Sequence, residues 1–178
     1  MGTLAFGLLH ERDIDRIRDI DRSEIIDALY AVDDGKLVLR EHSHTSPPWT
    51  PEMVERYVER ARAVVASGGV AFGAWDGPRL VGIAVLDVRP VGDDPSILNL
   101  DFLHVSDGYR GRGISSDLMR LIRATAIQRG ARALYISATP TRNTVDVYRH
   151  MGATVIDAPD PAMFAREPED IHLILSLR

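Results

Sequence analysis

Apolar and polar positions divide the chain into a series of short stretches that read as strands and helices in turn. Residues 3–9 form a brief apolar run, a strand in prospect, and residues 11–20 carry Ile14, Ile17 and Ile20 on one helical stripe. Between residues 25 and 39 two apolar runs flank Asp33-Asp34-Gly35, a turn signal that predicts a hairpin, with a short helix over 23–31 as the alternative. Residues 41–51 are polar, with His42, His44, two adjacent prolines and Trp49, and read as a surface loop. Thr50 then caps a helix opened by Pro51 and closed near Gly68-Gly69. Two strands, 70–75 and 79–88, pair across Asp76-Gly77-Pro78, and a second loop covers 89–95. A long strand over 97–105 runs through a glycine turn into a helix with Ile114, Leu118, Leu121 and Ile122 on one face, stopped at Gly130. A strand at 133–138, a short helix at 144–151 and strands at 153–157 and 171–177 complete a mixed α/β order. With no repeat and no dividing linker, residues 1–178 read as a single domain.

Composition narrows what such a domain does. At 178 residues, 45% hydrophobic and 26% charged, the chain has the apolar material for a core. A net charge of −5 makes nucleic acid a poor partner, because binders of the phosphate backbone present a basic face. No segment approaches the length of a membrane span, the apolar start at 4–9 lacks a basic leader, and Phe6 stands where an acylation motif beginning at Gly2 takes serine or threonine. A cytoplasmic location without membrane partners is the resulting expectation. There is no cysteine, so thiolate catalysis, disulfides and Cys-type zinc sites are excluded, and His42 and His44 lack a convincingly spaced third ligand. No metal is expected.

The chemistry concentrates in Arg110-Gly111-Arg112-Gly113-Ile114-Ser115-Ser116, between the long strand and its helix. Glycines let the main chain turn tightly and approach a ligand, and a helix start carries unpaired N–H groups with partial positive charge. A pyrophosphate fits such an end; Arg110 and Arg112 add charged donors, and the hydroxyls of Ser115 and Ser116 add small ones. A P-loop is excluded because the turn has no lysine. A dinucleotide fingerprint needs a third glycine where Ser116 stands and an acidic residue about twenty positions on, which the region near Ile136 does not offer.

This segment resembles the signature of the GNAT superfamily of N-acetyltransferases, which is Arg or Gln, two residues, Gly, one residue, then Gly or Ala. Arg110, Gly113 and Ser115 occupy those places, with serine departing from the last. The lead-in 103–109 is similar to the strand and bulge before the signature, and Asn143, Tyr148 and Gly152 are similar to the helix bordering the pantetheine arm. The resemblance spans about residues 70–157. It implies a twisted, mostly antiparallel sheet of about seven strands with about four helices, in which the fourth and fifth strands, here 97–105 and 133–138, splay into a V. Acetyl-CoA is the implied co-substrate and needs no metal. The backbone of Leu103, His104 and Val105, the turn from Arg110 to Ser116, and Asn143 are the implied contacts, although Asn143 also suits a helix cap and the His104 side chain reads as structural. By the same resemblance Tyr148 is the acid that protonates the leaving thiolate. Asp101, placed by strand alternation on the face of Leu103 and Val105, is the candidate base. Tyr30, Glu41, Trp49 and Tyr57 are candidate walls for a small-molecule amine acceptor, and a homodimer is in keeping with the resemblance. A protein or peptide acetyltransferase and a non-catalytic acyl-CoA sensor are the alternatives.

Overall fold

The computed structural model describes residues 3–177; Gly2 lies outside them. Seven strands form one sheet in the order β1-β4-β5-β6-β7-β9-β8: β1 (Ala5–Leu8), β4 (Val70–Asp76), β5 (Arg79–Val91), β6 (Asp94–Val105), β7 (Ala133–Ala138), β9 (Ile171–Ser176) and β8 (Thr154–Val155). All neighbours are antiparallel except β6 and β7. The hairpin expected around Asp33-Asp34-Gly35 is present as a separate two-stranded sheet, β2 (Glu24–Asp33) and β3 (Lys36–Ser46). The loop expected over 41–51 is therefore half strand. Its pattern hides this because β3 is exposed along most of its length and shows no alternation of polarity. The second expected loop, 89–95, shrinks to a tight turn at Gly92 and Asp93, since β5 and β6 pair as far as Val91 and Asp94.

The helices are α1 (Pro51–Ala66), α2 (Ile114–Gln128), α3 (Arg142–His150) and the short α4 (Pro161–Arg166), which the sequence reading missed. Residues Glu11–Asp19 wind as a 3₁₀ helix instead of an α-helix, with Ile14 and Ile17 buried as the stripe required. Thr50 caps α1 by accepting from the Met53 N–H at 3.3 Å, with Pro51 at the first position. Each face of the sheet has its own core. Leu118, Met119 and Ile122 of α2 and Val145 and Tyr148 of α3 pack on one face with Leu98, Leu100 and Val105. Val58, Ala61 and Val64 of α1 pack on the other with Ile83, Val85 and Phe102, which also receives Ile14 and Ile17.

Candidate active site

Strands β6 and β7 are hydrogen-bonded in parallel only from Ile97 to Leu100 against Ala133 to Ile136. Beyond Leu100 they part, so Phe102 to Val105 are paired with β5 alone, and the alternate amides aimed the other way have no strand partner. The V expected from strands 97–105 and 133–138 is thus present. A cavity of about 570 Å³ opens through it and reaches both faces of the sheet.

On the α2 and α3 side the cavity meets the glycine turn, where a second hollow is lined by Arg110, Gly111, Gly113, Ser115 and Ser116. Gly111 and Gly113 have φ of 74° and 78°, a left-handed backbone in which any other residue is strained. Nothing lies within 4 Å of a Cβ built on either, so the turn is shaped by conformation and the space beside it stays open. Among the described residues, no acceptor pairs with the N–H groups of residues 110–116, while that of Asp117 bonds the Gly113 carbonyl at 3.0 Å. Such a turn leading into a helix start suits a diphosphate. The arginine side chains are occupied elsewhere. Arg110 donates to the carbonyls of Val105 (3.2 Å) and Ser23 (2.7 Å), and Arg112 to that of Gly108 (2.6 Å). They brace the turn.

Tyr148 lies on the buried face of α3, 4% exposed, with its side chain lining the cavity. Its hydroxyl has no hydrogen-bond partner among the described residues. Burial raises its pKa, the charge of Asp170 adding to the effect, so it stays protonated at neutral pH. Asn143 is not the cap of α3. Thr141 is, accepting from the Thr144 N–H at 3.3 Å, and Asn143 in the first turn donates to Glu24 at 3.0 Å. Both Asn143 and Glu24 line the cavity.

The expected position of Asp101 needs correction. The register with β5 shifts between Val85, which faces Phe102, and Leu86, which faces Leu100. Asp101 is the extra residue of a β-bulge, so alternation restarts after it. Leu103 and Val105 turn toward α2, whereas Asp101 shares the α1 side with Phe102 and His104. There Arg60 of α1 grips the carboxylate, Nε to Oδ2 at 2.6 Å and Nη2 to Oδ1 at 3.1 Å, and also donates to the Asp101 carbonyl at 2.9 Å. Asn99 donates to Oδ1 at 3.2 Å, and Arg166 stands 3.5 Å away. With both carboxylate oxygens held by Arg60, Asp101 anchors that side chain against the cavity wall.

The other carboxylates along the cavity differ in their partners. Glu167 bridges Arg60 at 2.9 Å, Asp146 accepts from Tyr30 at 2.8 Å, and Glu24 accepts from Asn143. Asp170, in the acidic turn before β9, lines the cavity without a side-chain hydrogen bond or ion pair among the described residues. Burial, with the charge of Glu167 adding, pushes its pKa up to about 6. In sequence it is one of three acids in Glu167-Pro168-Glu169-Asp170, with nothing to set it apart.

The acceptor walls also differ from expectation. Tyr57, Phe102 and His104 line the α1 side of the cavity. Trp49 stands behind them, buried and stacked on Tyr57 with ring centroids 4.5 Å apart, and Tyr30 ties β2 to α3 through Asp146 and Arg149. Glu41 is exposed on β3, away from the cavity. Among the described residues no group of His, Asp and Glu is placed to hold a metal, and no helix is long and apolar enough to cross a membrane.

Solved structures share this fold over nearly their whole length. Nourseothricin acetyltransferase is 19% identical, with 98% of this chain and 99% of that one covered at a TM-score of 0.74. A candidate streptothricin acetyltransferase from Bacillus anthracis, solved with acetyl coenzyme A, is 15% identical over 98% of each chain at 0.74. The ribosomal-protein-S18-alanine N-acetyltransferase from Escherichia coli is 13% identical over 98% and 94% at 0.63. No curated protein matches the sequence. The profile of the acetyltransferase (GNAT) family matches residues 24–153, the span that holds the V, the glycine turn and Tyr148. The chain belongs to that family, and it is an acetyltransferase by fold and by sequence.

Proposed function

We propose that this enzyme moves an acetyl group from acetyl-CoA to a primary amine of a small molecule by direct attack on the thioester. The single observation that carries the reading is the convergence of Tyr148 and Asp170, two polar groups without protein partners, on the cavity that opens where β6 and β7 part. Unpaired N–H groups at 110–116 suit the diphosphate of the carrier, and the unpaired strand amides of residues 102–105 suit its amide-bearing arm. The thioester supplies the activated acyl carbon. Asp170, with a pKa near neutrality, takes the proton that an ammonium must lose before its nitrogen can attack. The nitrogen bonds to the acyl carbon as the C–S bond breaks, and the Tyr148 hydroxyl donates to the departing sulfur. A small acceptor is favoured because the acceptor side of the cavity is lined by Tyr57 and Arg60 of α1, by β6 and by Glu167 and Asp170 of the turn before β9.

The test is thiol release from acetyl-CoA across a panel of small amines and peptides. Release with small amines and none with peptides is the expected result. Stabilisation by acetyl-CoA without release on any acceptor would identify a sensor, and release on peptide N-termini alone would identify a protein acetyltransferase.

A further inference from the structure

We propose that the acceptor carries a carboxylate as well as its amine, and that Arg22, Tyr57 and His104 form the subsite that holds it. The inference rests on the reading of the cavity as an amine acetyltransferase site. It starts from three polar groups that the fold leaves unanswered at one end of that cavity. The Nε2 of His104 is buried with no partner among the described residues. The Tyr57 hydroxyl has none either, although its ring is fixed against Trp49 at 4.5 Å and edge-on to His104 at 5.0 Å. Arg22 bonds Ser46 and, among the described residues, has no carboxylate within ion-pair distance, whereas Arg60 has Asp101 and Glu167, and Arg110 has Asp107 at 3.6 Å. All three residues line the cavity.

The sign of the field there is positive. Burial, then the charges of Arg22, Arg60 and Arg110, hold His104 neutral with a pKa of about 3, and no carboxylate contributes. A neutral imidazole in its Nε2–H form, a phenol and a guanidinium are all donors, and they converge beside an aromatic wall. A second ammonium at this end would face the guanidinium of Arg22, which has no carboxylate partner among the described residues, and an apolar group would leave the donors unpaired in a buried site. A carboxylate answers them. Asp170, also on the cavity wall, supplies the charge of opposite sign. Tyr57 is subject to both, to Arg60 and Arg22 on one hand and to Glu167 and Asp170 on the other. An amino acid, with amine toward Asp170 and Tyr148 and carboxylate toward Arg22, matches this pattern; a polyamine opposes it.

The experiment compares kcat/KM for acceptors that differ only by the carboxylate: lysine against cadaverine, ornithine against putrescine, methionine against 3-(methylthio)propylamine. A site built to pair a polar group discriminates strongly against analogues that lack it, so the acid of at least one pair is expected to exceed its decarboxylated partner by about tenfold or more. Arg22→Gln should raise the KM of the acid, collapse the preference within the pair and leave the KM of acetyl-CoA in place, while Arg22→Lys keeps part of the preference. Equal or better turnover of the decarboxylated amines overturns the proposal but preserves the acetyltransferase reading. A rise in the acetyl-CoA KM for Arg22→Gln also overturns it, by assigning the guanidinium to the carrier. No thiol release with any member, despite stabilisation by acetyl-CoA, overturns both.

Discussion

Replacing Arg60 with alanine tests whether Asp101 anchors the cavity wall. The Asp101 side chain is 2% exposed and Arg60 25%, with contacts at 2.6 and 3.1 Å. A solvent-exposed pair contributes about 0.2–1 kcal/mol, whereas removing one member of a buried pair costs about 3–5 kcal/mol because the other charge is stranded. Asn99 at 3.2 Å and Arg166 at 3.5 Å remain to support the carboxylate, and Arg60 is partly hydrated, so the lower end applies, about 3 kcal/mol. For a domain of this size each kcal/mol moves Tm by about 2–4 °C, which gives a fall of about 6–12 °C. Scanning calorimetry at pH 7.5 reads it directly. Moderate salt should change the loss little, because a buried pair is weakly screened. Asp101→Asn leaves Arg60 with Glu167 and water, and is expected to cost less. In a double-mutant cycle the two changes should couple by about 1–3 kcal/mol. A Tm within about 2 °C of wild type for Arg60→Ala would show that the pair behaves as a surface contact, and the assignment of Asp101 as an anchor would fail.

Further outcomes follow from the same geometry. Tyr148→Phe should lower kcat by about 10²-fold or more with acetyl-CoA affinity unchanged, as steady-state kinetics beside calorimetric titration would show. Gly113→Ala forces a Cβ into a φ of 78° at about 1–2 kcal/mol of strain; since that Cβ meets nothing within 4 Å, the fold should survive while acetyl-CoA binding weakens. His104 has a folded pKa of about 3 against an unfolded value of 6.5, so the unfolded chain binds the extra proton between those values. Its contribution to stability is complete above pH 6.5 and declines as the pH falls toward 3, at up to about 1.4 kcal/mol per pH unit. Denaturant titrations between pH 7 and 4 should therefore show a shallower loss for His104→Phe than for wild type.

The order of elements was legible because each carries its own signal. Asp33-Asp34-Gly35 and Asp76-Gly77-Pro78 marked both hairpins, Thr50-Pro51 marked the start of α1, and Ile114, Leu118 and Ile122 marked the buried face of α2. The glycine turn was legible for the same reason: its function depends on backbone conformation, which glycine writes into the sequence. Side-chain partnerships were not. One inserted residue at the β6 bulge moved Asp101 to the opposite face, and nothing in Leu100-Asp101-Phe102 announces it. Arg60 looks like Arg56 and Arg62 along α1 until the helix is docked. Asp170 differs from Glu167 and Glu169 only by where the turn before β9 packs. Residues 41–46 carry no strand signal because a strand exposed along most of its length has no alternation to detect.

The most direct test of the account is the pH dependence of kcat/KM for wild type, Asp170→Asn and Asp170→Glu on one small amine. With the base at a pKa of about 6, wild-type activity should fall below that pH. Asp170→Asn should lose about 10²–10⁴-fold and its low-pH limb, and Asp170→Glu should restore both in part. An Asp170→Asn enzyme with wild-type activity and an unmoved limb would contradict the claim that this lone carboxylate readies the amine for attack.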